Sequence, residues 1–109
     1  MNTVAIVLRV GQDRTEEFER GFRVHELPVW EELHGRGTLV RASLSRLDIA
    51  SPQVDGAQQY LVVAVFKDPE GHHEHDTHPG FRDWDRRAED FQVAEPLAFG
   101  GDTIVHVEG

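Results

Sequence analysis

The chain contains no cysteine among its 109 residues. Disulfides, zinc–thiolate sites, iron–sulfur clusters and cysteine nucleophiles are therefore excluded, and cysteine usage says nothing about the compartment. Basic residues are also few: 11 Lys and Arg stand against 20 Asp and Glu, which gives a formal net charge of -9. Such an acidic chain is poorly suited to bind nucleic-acid phosphates or an anionic membrane surface, so neither is expected as a partner.

Long hydrophobic runs are also missing. The start of the chain holds an apolar stretch of only a few residues, without the basic and long apolar regions of a secretion signal. A membrane-spanning helix needs about 20 apolar residues, and this stretch is far shorter. We therefore predict a cytoplasmic protein. Because 109 residues have room for one ordinary core, residues 1–109 are predicted to form a single domain.

Several segments have the composition and period of β-strands. They are rich in Val, Ile and Leu and are separated by Gly, Pro and Asp, which favour turns. A loop at Ser51–Gly56 predicts that the second and third strands form a hairpin, and Pro96 with Gly100–Gly101 predicts a loop before the last strand. The predicted strands are Val4–Val10, Thr38–Ile49, Gln59–Lys67 and Thr103–Val107.

Helical periodicity occupies the two intervals between these strands. Asp13 and Glu16 are spaced as a capping box for a first helix, and Pro28 predicts a break near Glu26–Leu27, with a second piece running through Trp30 to about His34. Gly35–Gly37 is typical of a helix C-terminus. A further helix is predicted over Pro79–Phe91, with a short helical turn starting at Asp68–Pro69. The apolar face of the Pro79–Phe91 helix consists of Phe81, Trp84, Ala88 and Phe91. The apolar face of the first helix consists of Phe18, Phe22, His25, Val29 and Leu33.

The predicted order β-α-β-β-α-β defines a fold class. It is the α+β, ferredoxin-like arrangement, in which an antiparallel sheet carries its helices on one face. The other sheet face still holds apolar residues, and an uncovered apolar sheet is an association surface. We therefore expect a homodimer in which two open sheet faces stack into a barrel.

Four of the seven histidines lie within seven positions, at His72, His73, His75 and His78, with Glu74 and Asp76 between them. Histidine titrates near neutral pH, and its neutral ring is a common metal ligand, so this segment is the first candidate for chemistry. On a helix, His72 would share a face with Asp76, and His75 with His78. We expect His75 and His78 to face a pocket together with His25, and His72 and His73 to face solvent.

The His78-Pro79-Gly80-Phe81 segment, together with the element order, resembles the dimeric α/β-barrel superfamily. Its members include antibiotic-biosynthesis monooxygenases, small polyketide cyclases, haem-degrading monooxygenases, muconolactone-isomerase-like enzymes and stress-responsive barrel proteins. The resemblance implies a pocket between sheet and helices for a small hydrophobic, aromatic or polyketide-like metabolite, and many members use no metal or organic cofactor, so none is expected here. The Phe81–Trp84 stretch is similar to the aromatic second helix of haem-degrading members, but the chain lacks their full Asn, Trp and His combination in recognisable spacing, which argues against haem.

The leading hypothesis is a cofactor-independent enzyme of monooxygenase, cyclase or isomerase type. All three reactions begin when a base removes a proton next to a carbonyl or from a phenol. His78 or His25 is predicted to be that base, with His75 as a further candidate and Asp76 as the orienting carboxylate. Arg41 or Tyr60 would stabilise the anion. The predicted substrate-binding residues are Arg41, Tyr60, Trp30, Trp84 and Phe22.

Two alternatives stay open at this point. The first is a non-catalytic ligand-binding or stress-associated barrel, in which the histidine segment is a solvated turn and His78 caps the following helix. The second is a divalent metal such as zinc, nickel, copper or iron, held by His72, His75 and Asp76. The His-Glu-x-x-His pattern of zinc proteases is absent, because His73-Glu74-His75 does not extend to it.

Overall fold

The computed structural model describes residues 1–50 and 52–107. This part of the chain forms four strands and four helices, with one pair of helices after the first strand and another pair after the third strand. A single 3-10 turn (Gln12–Arg14) separates the first strand from the first helix. The elements in chain order are β1 (Asn2–Gly11), α1 (Thr15–His25), α2 (Leu27–Gly35), β2 (Leu39–Arg46), β3 (Ala57–Phe66), α3 (Pro69–Asp76), α4 (Pro79–Glu89) and β4 (Gln92–Asp102).

The four strands form one antiparallel sheet in the order β2-β3-β1-β4. The two central strands are β1 and β3, and their register pairs Leu8 with Tyr60 and Val4 with Ala64. A helix pair follows β1 and another follows β3. The fold is therefore the ferredoxin-like α+β arrangement, and the predicted fold class is confirmed.

The core lies between the helices and one face of the sheet. Aromatic rings dominate it: Phe18 lies 4.8 Å from Tyr60 and 5.8 Å from Trp84, measured between ring centroids. Phe18 and Tyr60 are almost completely buried. Buried rings of this size supply much of the apolar area that stabilises a small domain. None of the helices in the described residues is long and apolar enough to cross a membrane.

The opposite sheet face carries apolar side chains that the helices of the described residues do not cover. Val7 on β1 is paired with Leu61 on β3 and with Leu97 on β4, so the three form a row across the sheet. Leu97 is 37 % exposed, and Leu61 is half-buried. This row lies on the open sheet face that the sequence predicts to be the dimer surface.

The break between α1 and α2 is confirmed. Helix α1 ends at His25, α2 begins at Leu27, and Pro28 occupies the first turn of α2, where its missing N–H costs least. Gly37, with φ of +78°, terminates α2 together with backbone bonds from Gly37 to His34 and from Thr38 to Leu33, as the glycines predicted.

The prediction for the last strand was wrong. The strand β4 covers residues 92–102, so Pro96 and Gly100–Gly101 lie inside it, and residues 103–107 are not part of a strand. Proline is tolerated here because β4 is an edge strand that pairs only with β1. A backbone N–H that points away from β1 has no strand to bond to, so its loss removes no hydrogen bond of the sheet. The pairing with β1 also shifts register between Ala94 and Leu97, next to the proline.

Other differences concern helix starts and lengths. Asp13 and Glu16 do not form a capping box, since the 3-10 turn contains Asp13 and the residue before α1 is Arg14 without a side-chain cap. The histidine segment forms a full helix, α3, rather than a turn. It is capped by Asp68, whose carboxylate accepts the Gly71 N–H at 2.7 Å. Ser51 of the predicted loop lies outside the described residues.

One close approach between helices can be tested directly. A Cβ added to Gly21 in α1 would lie 2.7 Å from Cζ3 of Trp84, a buried ring that packing holds in place. We expect Gly21→Ala to lower the free energy of unfolding by roughly 1–3 kcal/mol, because overpacking outweighs the better helix propensity of alanine. Chemical denaturation measures this effect.

The matched control is Gly35→Ala at the end of α2, where an added Cβ meets no atom within 4 Å. This variant should be as stable as the parent or slightly more so. Equal stability of the two variants would contradict the tight α1–α4 contact.

Candidate active site

A cavity of about 1210 Å³ lies between the sheet and the helices. Its floor is formed by apolar residues on one face of β1 and β3, since alternate residues of a strand point to the same side. Helices α1 to α4 supply the walls, and β4 supplies one side. We call it the main cavity, and its apolar floor consists of Val4, Ile6, Leu8, Val62, Ala64 and Phe66.

A carboxylate, Glu26, lines this cavity at the junction of α1 and α2. Its side chain is only 5 % exposed. Because Glu26 follows Phe22 by one helical turn and precedes Trp30 by another, it shares their buried side of the helix pair. The backbone is fixed at this point, since the Trp30 N–H donates to the Glu26 carbonyl at 3.0 Å.

His75 in α3 contacts Glu26 directly. Its Nε2 lies 3.1 Å from Oε2 of Glu26, and its Nδ1 lies 3.0 Å from Oδ1 of Asp76. The ring is buried and packs 4.2 Å from the ring of Phe81, between centroids. His75 is therefore an imidazole held between two carboxylates in an apolar surrounding.

The environment shifts the pKa of both buried partners. Burial raises the pKa of Glu26 above its usual range, and the hydrogen bond and charge of His75 offset only part of that effect. Burial alone would lower the pKa of His75. The hydrogen bonds and charges of Asp76 and Glu26 outweigh it and raise the pKa of His75 to about 9. At neutral pH, His75 is thus an imidazolium that donates a hydrogen bond to each carboxylate.

The chain of contacts continues to the cavity rim through Asp76. Its Oδ2 lies 3.0 Å from Nε2 of His72, one helical turn earlier on α3. The His72 ring stacks on Phe66 at 5.2 Å and lines the main cavity. Four titratable groups therefore follow one another from the exposed rim to the buried junction, in the order His72, Asp76, His75, Glu26.

The geometry corrects the predicted orientation of the histidines. His75 lines the cavity as predicted, but His72 lines it too, whereas His78 and His25 are not among its lining residues. His78 caps α4 by accepting the Gly80 N–H at Nδ1, and its Nε2 lies 3.0 Å from Oε2 of Glu32, so both ring nitrogens are engaged. This bond is the capping role that the sequence offered as the alternative. His25 stacks on the ring of Trp84 at 5.8 Å.

The two predicted anion-stabilising residues lie away from the main cavity. Arg41 is exposed and pairs in register with Val65, on the open face of the sheet. The Tyr60 hydroxyl donates to Glu19 at 2.6 Å, and Glu19 also binds Arg46. Burial first, then the bond to Glu19, raises the pKa of Tyr60 to about 12. Tyr60 lines a second, smaller cavity of about 460 Å³.

The predicted aromatic residues line the main cavity: Phe22 and Trp30 line both cavities, and Trp84 lines the main one. Among the described residues, the indole Nε1 of Trp30 is buried without a hydrogen-bond partner, as is Oε1 of Gln92. Buried polar atoms are usually paired, so both need an explanation. Both residues line the main cavity, although the two atoms themselves are enclosed by the surrounding packing.

Glu26 is the residue that sequence reasoning missed. It was used only to locate a helix break, although a usable signal was present: it lies four residues after Phe22 and four before Trp30, in line with two apolar residues. A carboxylate on an apolar helix face has to be paired or neutralised when it is buried. That requirement should have marked Glu26 as a partner for one of the histidines.

The described residues do not assemble a metal site. In the part of the chain described, no group of three or more His, Asp or Glu residues is arranged to hold a metal ion. The predicted alternative set of His72, His75 and Asp76 is instead joined pairwise, with the carboxylate bonded to both rings. In the Phe81–Trp84 stretch, from which the sequence suggested a likeness to haem-degrading proteins, Trp84 is 3 % exposed and contributes to packing.

The fold and the cavity define the class of protein, a ferredoxin-like α+β domain with a pocket between sheet and helices. Comparison with solved structures agrees. A provisionally assigned antibiotic biosynthesis monooxygenase from Nitrosomonas europaea superimposes with a TM-score of 0.73 and 13% identity, covering 94% of this chain and 89% of that one. Another antibiotic biosynthesis monooxygenase gives 0.71 with 10% identity, and 96% and 100% coverage.

SnoaB from Streptomyces nogalater, a cofactor-independent oxygenase solved as a point mutant, gives a TM-score of 0.68 with 15% identity, covering 99% of this chain and 98% of that one. No protein-family model and no curated protein sequence matches the chain. At these identities, the similarity establishes the shared fold, and the predicted resemblance is confirmed at that level.

The His75 contacts predict a stability change with pH. The pKa of His75 rises from 6.5 to about 9 on folding, so its stabilising effect is complete below pH 6.5 and is lost as the pH rises through 9. We expect the free energy of unfolding to fall by roughly 2 kcal/mol between about pH 7 and 9.5. Urea denaturation at each pH, with NMR titration of the His75 ring, measures it.

The control is the double variant Glu26→Gln with Asp76→Asn, which removes both carboxylates from the ring. Its stability should depend much less on pH in the same interval, whatever its absolute value, because the pKa of His75 is then no longer raised by two negative charges. If parent and variant show the same slope, His75 is not the titrating group.

Proposed function

We propose that this protein is an enzyme that removes a proton from a carbon next to a carbonyl, or from a phenol, in a small hydrophobic aromatic or polyketide-like molecule. The observation that carries the proposal is the Glu26 carboxylate, buried in an apolar cavity and bonded to His75. A carboxylate whose pKa is raised by burial is a stronger base than one in water, which suits proton abstraction near neutral pH.

Glu26 is the base in this mechanism, and His75 positions it. Both carboxylate oxygens lie within hydrogen-bond distance of His75 Nε2, at 3.1 and 3.3 Å, and the carboxylate accepts the substrate proton, becoming a neutral carboxylic acid while the substrate becomes an enolate or phenolate. This proposal therefore assigns the role of the base to Glu26 instead of His78 or His25, which the sequence predicted. Both nitrogens of His75 are bonded to carboxylates, so it is suited to orientation and charge rather than to direct proton abstraction.

The new anion needs positive charge or donors close by. The His75 imidazolium, whose Nε2 lies 3.1 Å from Oε2 of Glu26, supplies the charge. Phe22 and Trp84 would flank the rings of the substrate.

The same first step serves three reaction types. Returning the proton to another carbon completes an isomerisation, and attack of the enolate carbon on a second carbonyl completes a cyclisation. Reaction of the anion with dioxygen leads to an oxygenation. The oxygenases among the structural neighbours support the last type, and the cofactor-independent one is consistent with chemistry carried by side chains alone.

The Glu26 assignment predicts loss of proton abstraction in Glu26→Gln. β-Tetralone is a suitable neutral probe, because it is an apolar bicyclic ketone with an acidic carbon next to its carbonyl. In deuterated water, exchange of that carbon's protons followed by NMR should slow by about 10²–10⁴-fold in the variant. The amide keeps the shape of the side chain but cannot accept the proton.

Glu32→Gln is the matched control, because Glu32 is an exposed residue of α2 that binds His78 and Arg36 outside the cavity. It should exchange at the parental rate, as should His25→Ala. If His78→Ala loses exchange and Glu26→Gln keeps it, the base predicted from the sequence is right and Glu26 is not the base. If the parent itself catalyses no exchange of this or related ketones, a non-catalytic ligand-binding barrel is the better function.

We also propose that the protein is a homodimer joined through the open sheet face. The supporting observation is the row formed by Val7, Leu61 and Leu97, which crosses three strands and which the helices of the described residues leave uncovered. Burying such a row removes apolar area from water at roughly 25 cal/mol per Å². A second copy offers the same complementary face.

Leu61→Lys tests the dimer, since it places a charge in the centre of that face. We expect the molecular mass measured by light scattering to fall from two chains to one. Val24→Lys is the control: Val24 lies on α1, is 60% exposed, and should leave the mass unchanged. A parent protein that is already monomeric at micromolar concentration would contradict the proposal.

A further inference from the structure

The second cavity, of about 460 Å³, lies between the helices α1 and α2 and the edge strand β2. Its volume is within the range of about 300–1,000 Å³ that small-molecule sites in proteins occupy. Most of the residues around it are apolar, as is usual for such sites. These apolar residues are Phe22, Leu27, Trp30, Ala42 and Leu44.

The apolar wall of the second cavity has a buried part and an open part. Phe22 and Trp30 are buried, and their ring centroids lie 5.0 Å apart with the ring planes at 74°. Leu27 is 38 % exposed, and Leu44 is half-buried. The two leucines therefore leave apolar area in contact with water, and a ligand that covered this area would gain stability from its burial.

The polar side of the second cavity is built around Glu19. Its carboxylate accepts a hydrogen bond from the Tyr60 hydroxyl at 2.6 Å, and bonds from Nε and Nη2 of Arg46 at 3.1 and 2.6 Å. Tyr60 is 1 % exposed, so this network is anchored in the core. Two bonds from one guanidinium to one carboxylate also fix the orientation of the guanidinium. Arg46 is thus held at the cavity although its side chain is 61 % exposed.

Arg23 brings a second positive charge to the same carboxylate. It follows Glu19 by one helical turn on α1, so the two side chains share a face of the helix. The hydrogen bond from Tyr60, with the bond and charge of Arg46 and the charge of Arg23, lowers the pKa of Glu19 although burial opposes the change. Glu19 is therefore ionised at neutral pH, and both arginines lie within electrostatic reach of it.

The second cavity retains positive charge after this pairing. Two arginines and one glutamate line it, so one unit of positive charge is not compensated by the lining residues. Glu19 already binds Tyr60 and Arg46. Within residues 1–50 and 52–107, Arg23 forms no hydrogen bond or ion pair, and Nη1 of Arg46 forms no hydrogen bond. Guanidinium donors are thus available to a further acceptor at this cavity.

This local charge is opposite in sign to that of the protein. The chain has a formal net charge of -9, and none of the Lys and Arg residues in the described part of the chain lines the main cavity. A negatively charged ligand is therefore repelled by the protein as a whole and attracted at the second cavity.

We propose that the second cavity binds a small ring-containing carboxylate, whose negative charge lies between Arg23 and Arg46. A carboxylate matches the single uncompensated charge and the planar donors of a guanidinium. The ring of the ligand would cover the exposed parts of Leu27 and Leu44. The inference does not depend on the proposed function, because the residues assigned to proton abstraction do not line this cavity.

Three probes share one ring system and differ in charge: 2-naphthoate, 2-naphthylmethanol and 2-naphthylmethylamine. In an NMR titration, the methyl signals of Leu27 and Leu44 report the second cavity, and those of Leu8 and Val62 report the main cavity. At the second cavity, naphthoate should bind about tenfold more tightly than the alcohol, and the amine most weakly. Added salt should reduce this advantage, because both guanidiniums are accessible to solvent.

The overall charge of the protein favours the amine, so the expected order would report the local charge of the cavity. Equal binding of naphthoate and the amine at the second cavity would overturn the proposal. Naphthoate shifts confined to the methyl signals of Leu8 and Val62 would also overturn it, because the ligand would then occupy the main cavity.

Arg23→Gln tests the assigned cation without removing a bond of the Glu19 network. We expect it to weaken the binding of naphthoate about threefold and to leave the alcohol unaffected. Arg20→Gln is the matched control, because Arg20 is an exposed residue of the same helix that lines neither cavity, and the change in net charge is the same. If the two variants weaken naphthoate equally, or neither does, the proposed site is wrong.

The ketone exchange assay separates this inference from the proposed function. Arg23→Gln should exchange β-tetralone at the parental rate, because Arg23 does not line the main cavity. Exchange that is lost in Glu26→Gln, together with no binding of naphthoate at the second cavity, would leave the base assigned and the carboxylate site refuted. Binding of naphthoate by a protein that catalyses no exchange would establish the carboxylate site without the proposed proton abstraction.

Discussion

The contact between Glu26 and His75 is the constraint on which the site depends. A carboxylate removed from water is strongly unfavourable unless it is paired, and breaking one side of a buried pair costs several kcal/mol. The pair therefore fixes where α3 lies against the α1–α2 junction, and α3 in turn brings His72 and Asp76 to the rim of the cavity. The Glu26–His75 hydrogen bond therefore has two roles. It holds α3 against the α1–α2 junction, and it influences the protonation of Glu26, the candidate base.

Most of the architecture followed from local patterns. The two central strands, the break before Pro28 and the apolar face of α4 each reflect a short-range rule of periodicity or backbone geometry, and the structure contains all three. The position of the last strand could not be predicted from local patterns, because Pro96 and Gly100–Gly101 are typical of a loop. Only the sheet order makes β4 an edge strand and thereby tolerant of proline. That information is tertiary and is absent from the segment itself.

The candidate site also combines features that local sequence predicts with features that depend on tertiary contacts. The histidine cluster was identifiable because four rings in seven positions are unusual, and His75 does line the cavity. Its partner was not identifiable from the cluster, since Glu26 lies 49 residues away in sequence. The ranking of His72 and His78 also failed, because it assumed a turn where the chain forms the helix α3. A full helix rotates His72 onto the side of Phe66, and His78, beyond the helix, becomes a cap.

The joint between α1 and α2 bears on how such a fold diversifies. Each residue added to a helix rotates everything after it by about 100° and advances it by about 1.5 Å. A single insertion or deletion just before Leu27 would therefore turn Trp30 away from its neighbours while leaving the sheet intact, and one just before Glu26 would carry the carboxylate to another side of the cavity. Related chains can accordingly keep the same framework at very low sequence identity and yet present different reactive groups to the cavity. The length of this joint, rather than the overall similarity of two chains, is then the feature to compare when deciding whether they share a chemistry.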